Sequence, residues 1–156
     1  MLGHPKTADR LSLLAGQLCL TEAVTPDLVS RVIDQVCVRL ASLHRPENIA
    51  RLTRLIEASA WTEVALALIE LELPQWTLRR LVHDGGEWLC SLSKQPNLPV
   101  EFDDTVDARH EILSLALLSA FLEAKRQVSG AREVISPREP QITMATAYVS
   151  CCDNFA

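Results

Sequence analysis

At 156 residues, with 48% hydrophobic and 22% charged residues, the chain has the size and balance of one globular domain, not of a disordered or fibrous protein. Only 4% of residues are aromatic, so the core has to be built from leucine, valine, isoleucine and alanine, which favours helices. A formal net charge of −5 repels a polyanion and argues against generic nucleic-acid binding, and no stretch reaches the roughly 18 uninterrupted apolar residues of a membrane span.

In chain order, Leu11, Leu14, Ala15, Leu18 and Cys19 recur at intervals of three and four and predict a first helix over 8–23. Thr25 as N-cap, Pro26 at the first helical position and Asp27 near the positive end of the helix dipole open a second helix, read through to His44. Pro46 starts a third, over 46–58, with Ile49, Leu52, Leu55 and Ile56 on its apolar face. Ser59 is the expected cap of a fourth, over 60–73, so apolar that a central position is expected, and Pro74 ends it.

The period then changes from that of a helix to that of a strand. Runs from Trp76 to His83 and from Glu87 to Ser93 flank Asp84-Gly85-Gly86, whose glycines tolerate the positive φ of a hairpin turn. Pairing through that turn puts Leu81, His83, Trp88, Cys90 and Leu92 on one face, and Trp76, Leu78, Val82 and Leu89 on the other. Leu98, Val100 and Phe102 alternate as a third edge strand, giving a hairpin or three-stranded meander over 76–102. Asp103-Asp104-Thr105 supplies caps for one long C-terminal helix, ended by Ser129-Gly130. The expected fold is α+β, predominantly helical, with four N-terminal helices. A single domain over 1–130 precedes a mobile or loosely docked tail over 131–156, in which 143–150 is β-prone.

Five cysteines, an odd number without a disulfide framework, and a start that does not read as a secretory signal point to a reduced cytoplasm. Cys19 and Cys37 fall among leucines and valines, where a thiol packs as a small hydrophobe.

From Pro74 to Lys125 the chain carries Trp76, Leu78, Arg80-Leu81, Asp84, Glu87-Trp88, Cys90, Leu92-Ser93, Leu98-Pro99, Asp103-Asp104, His110-Glu111 and Leu115-Ala116. In these residues, about a third of its length, it resembles a group of small α-proteobacterial proteins of unknown activity. The resemblance implies a bacterial, cytoplasmic origin and transfers no site residue.

No P-loop and no Gly-x-Gly-x-x-Gly is present, so no cofactor is expected. A helix-turn-helix reading fails because 61–72 contains no lysine or arginine. Two functional readings remain. The preferred one is a non-catalytic protein-interaction or regulatory module, self-associating or holding a protein partner through Trp76, Arg79, Arg80, His83 and Trp88, since a large aromatic on each face of a short hairpin is hard to bury twice. The alternative is a small enzyme or metal-binding protein using His83, Cys90, His110 and Glu111, without a Cys-x-x-Cys or His-Glu-x-x-His spacing; no catalytic residue and no metal ligand is assigned.

Overall fold

Leu115, Ala116, Leu117, Leu118, Ala120, Phe121, Leu122 and Ala124 are all buried, with Ser119 and Glu123 on the one polar side between them, so this stretch is apolar over most of its circumference and has to be largely enclosed by the rest of the chain. It belongs to the last helix of a computed structural model that describes residues 7–43 and 45–134. The helices are α1 (Thr7–Cys19), α2 (Pro26–Val36), α3 (Val38–Leu43), α4 (Pro46–Glu57), α5 (Trp61–Glu72) and α6 (Leu113–Val134). Between α5 and α6 lies an antiparallel sheet of β1 (Thr77–Asp84), β2 (Glu87–Ser93) and β3 (Thr105–His110), in that spatial order. One side of α6 lies on β2 and β3, and its other sides pack against α1 and α5. The fold is therefore α+β and predominantly helical, as the sequence indicates, but α6 is its centre. The helix expected there, α5, leaves Leu66 39% exposed.

Among the described residues five helices precede the sheet, not four, because the second expected helix breaks. Cys37 leaves helical geometry at φ −89 and ψ 66, and α3 starts anew behind it. A new helix start carries N–H groups without intrahelical acceptors. Here the carboxylate of Glu72 accepts from the N–H groups of Arg39 (3.2 Å) and Leu40, so a side chain from α5 caps α3. Ser59 does not cap α5 either. It adopts a left-handed φ of 54 at the end of α4, where Ala60 N–H reaches back to Leu55 C=O at 2.9 Å, and α5 begins without a side-chain cap.

The third strand also differs from expectation. Leu98 and Phe102 are exposed, 100–102 forms a 3-10 turn, and the strand beside β2 is Thr105–His110. Val106 and Ala108 face the core while Asp107 and Arg109 point away, so only two small apolar residues signal it. The last helix accordingly starts at Leu113 and runs through Ser129-Gly130 to Val134. Of the expected tail, 131–134 is thus helical, and 135–156 lies outside the described residues, as does the stretch 1–6.

Candidate functional site

Gly85 and Gly86, at φ 60 and 85, form the two-residue turn of β1 and β2, and the register follows as expected, with Leu81 opposite Cys90 and His83 opposite Trp88. A bulge between Leu78 and Arg80 then shifts the pairing, so Leu78 stands opposite Leu92 on the face of Leu81 and His83, not on the other one. Trp76 precedes β1 and belongs to neither face.

The inner face of the sheet thus carries Leu78, Leu81 and His83 on β1, Trp88, Cys90 and Leu92 on β2, and Val106, Ala108 and His110 on β3. Because α6 lies on β2 and β3, Cys90 and Leu92 are fully buried and Val106 nearly so. On β1 the same face stays open, with Leu78 40% and Leu81 37% exposed. The His83 ring, also exposed, rests on Trp88 at a centroid distance of 4.8 Å and a tilt of 50°. The outer face is polar, presenting Arg80, Asp84, Glu87, Asp107 and Arg109 with Val82 and Leu89 between them. Among the described residues no strand pairs with the far side of β1.

The residues expected to bind a partner therefore separate. Trp76 is 4% exposed and packs in the core, with Lys94 Nζ 5.0 Å above its ring. Arg79, at the bulge, donates to Asp103 Oδ2 at 2.5 Å and to Leu98 C=O at 3.0 Å, which ties it to the loop before β3. Arg80, His83 and Trp88 stay on the hairpin, Arg80 on its outer face and the two rings on its inner face.

Asp103 gathers this loop, accepting hydrogen bonds from Ser93 Oγ, from Gln95 N–H and from Arg79. Desolvation pushes its pKa up, but those three donors and the guanidinium charge outweigh it and hold the carboxyl below its ordinary value. A carboxyl with a depressed folded pKa adds stability above its unfolded value, and that stability is lost as pH falls through the folded pKa. The chain should therefore lose stability as pH drops below about 4, and Asp103→Asn should flatten that limb in urea midpoints measured against pH. An unchanged acid limb would show that Asp103 does not set it.

The alternative constellation does not converge. His83 and His110 stand opposite Trp88 from either side, so Trp88 lies between them and the two outer strands are about 10 Å apart. His110 Nδ1 accepts the N–H of Ile112 at 2.9 Å, and Glu111 is exposed beyond the end of β3. Cys90 is enclosed between Leu81 and Ala108, and burial, with a smaller push from Asp107, raises its thiol to about 12. Such a thiol is not a nucleophile at neutral pH. Cys37 is raised to about 12 in the same way, chiefly by burial, whereas Cys19 is exposed and does not pack as its leucine neighbours led one to expect. Among the described residues no three His, Cys, Asp or Glu side chains come together in a way that holds a metal ion.

No family model, curated protein or solved structure matches the chain. Among the described residues, no helix is long and apolar enough to cross a membrane.

One polar cluster was not anticipated. The Glu72 side chain is fully buried and, besides capping α3, receives Lys125 Nζ at 3.0 Å from α6, whose own side chain is 15% exposed. The pair sits in a cleft of about 530 Å³ between α3, the segment leading into β1 and α6, bordered by Val38, Leu43 and Trp76. Both residues occupy apolar stripes, Glu72 following Leu68 and Ile69, and Lys125 following Leu118 and Leu122. That spacing marks them as inward-facing charges that need each other.

Proposed function

We propose that this chain is a non-catalytic protein-interaction module of a bacterial cytoplasm, and that it engages a protein partner along the outer edge of β1. The observation that carries this reading is the mismatch between sheet and helix. Because α6 lies on β2 and β3, an eight-residue edge strand remains with Leu78 and Leu81 partly exposed beside the His83–Trp88 pair. Such an edge offers a row of backbone donors and acceptors with apolar side chains alternating above them, which is how an added strand is held. No cofactor enters this reading, and the polar outer face combines Arg80 and Arg109 with Asp84, Glu87 and Asp107, a mixture of charge that does not make a phosphate-binding track.

The test is site-specific photo-crosslinking in the native cell. A photoreactive residue at Leu81 should give protein adducts, to this chain or another, while the same residue at exposed Ser12 on α1 gives none. Absence of any adduct from Leu81 would sink the reading.

A further inference from the structure

The edge of β1 matches itself. Its regular stretch is bounded by the bulge at Arg79 on one side and by the Gly85-Gly86 turn on the other, leaving Arg80–Asp84, five residues centred on Val82. Asp84 and Glu87 flank a two-residue turn and form its hydrogen-bonded pair, so by alternation Val82 and Arg80 also bond toward β2. The N–H and C=O groups of Leu81 and His83 therefore point to the free edge. If a second copy approaches antiparallel, about a two-fold axis through Val82, Leu81 falls opposite His83 of the second copy and His83 opposite Leu81 of the second copy. Both are hydrogen-bonding pairs, each able to exchange two N–H···O bonds. A register displaced by one residue toward the bulge brings Arg79 into the ladder, and one displaced toward the turn brings in Gly85; only centring on Val82 keeps the whole regular stretch paired.

The side chains agree with that register. Directly opposed residues share a face, so on the outer face Arg80 meets Asp84 of the second copy, twice by symmetry, with Val82 against its own counterpart. Both Arg80 and Asp84 are exposed, and among the described residues neither makes an ion pair within the chain. On the inner face Leu81, 37% exposed in one chain, packs against the His83–Trp88 pair of the other.

We infer that the partner of the β1 edge is a second copy of this chain, joined antiparallel about Val82 into a continuous six-stranded sheet. This rests on the interaction reading above and gives it an occupant. The interface is small, so the dimer is a weak one, to be measured by sedimentation of the purified full chain at concentrations reaching about 100 μM. Arg80→Asp places two carboxylates opposite each other at both ends of the interface, and Asp84→Arg places two cations there. Each should weaken dimerisation by about tenfold or more, and the two together should restore it to within about threefold, because the opposed charges are again unlike. Restoration by the double exchange is the signature that no loss of folding imitates. In the unsubstituted chain, amide exchange at Leu81 and His83 should slow as concentration rises while Val82, already bonded to β2, stays constant. A chain that is monomeric at every concentration, a dimer indifferent to both reversals, or reversals that do not compensate would each overturn the inference. The Leu81 crosslinking decides separately whether the edge has some other protein partner.

Discussion

Lys125→Met should destabilise the fold by about 3–5 kcal/mol, because it leaves the Glu72 carboxylate buried without its cation. Glu72 has no exposed side-chain surface, and Lys125 Nζ lies 3.0 Å from Oε2. The two backbone donors of α3 remain in the variant, but they bring partial charge only and do not neutralise the carboxylate. The reverse change should be milder. In Glu72→Gln the amide oxygen still accepts one of the α3 N–H groups, and Lys125, 15% exposed, reaches water through the cleft. Combining Glu72→Gln with Lys125→Met should recover part of the loss of Lys125→Met alone, since no unpaired charge is then buried. With urea slopes of about 1–3 kcal/mol per molar, a loss of this size moves the unfolding midpoint by about 1 M or more. A loss under about 1 kcal/mol for Lys125→Met would mean that water entering the cleft solvates Glu72, and that α3 is held by something other than this ion pair.

The same cluster shows why part of the fold was legible in the sequence and part was not. Features decided by neighbours in sequence came out as expected: the Thr25-Pro26-Asp27 start of α2, the end of α5 before Pro74, and the Gly85-Gly86 turn with the pairing of Leu81 and His83 beside it. Features decided at a distance did not. The restart of the chain as α3 is capped by Glu72, 32 and 33 residues away, and the continuous apolar stripe from Leu28 to Leu43 carries no sign of it. The bulge that moves Leu78 to the other face accompanies the capture of Arg79 by Asp103, 24 residues on. An acidic run followed by threonine looks like a helix cap, but Asp103 gathers Ser93, Gln95 and Arg79, and Thr105 opens a strand.

The candidate site divides along the same line. Trp88 and His83 stand where local alternation puts them, but the feature that makes the β1 edge available is the lie of α6, which no local pattern encodes. Glu72 and Lys125 were legible in principle, as charges at helical spacing within apolar stripes. Each lies on its own helix with no partner within reach along the chain, and only the packing of α5 against α6 brings them together.

Trp76→Ala and Trp88→Ala should separate, although the sequence reading puts one tryptophan on each face of the hairpin. Trp76 is 4% exposed, belongs to the core cluster and lies under Lys94, so removing it opens a cavity where α5 passes into β1. The expected loss is about 3–5 kcal/mol, the usual cost of truncating a buried aromatic. Trp88 is half-buried, resting on the core from one side and meeting the exposed His83 ring on the other. Its truncation should cost about half as much, because part of its surface is already hydrated in the single chain and the shallow site it leaves is filled by water. Association should show the opposite order. Trp88→Ala removes the ring behind His83, against which Leu81 of the second copy packs, whereas Trp76 lies away from the β1 edge. Denaturant midpoints at a concentration where the chain is monomeric, set beside sedimentation at about 100 μM, read the two effects independently. If Trp88→Ala proves as destabilising as Trp76→Ala and leaves self-association unchanged, then the His83–Trp88 end of the sheet is core, and the open face of β1 shrinks to Leu78 and Leu81.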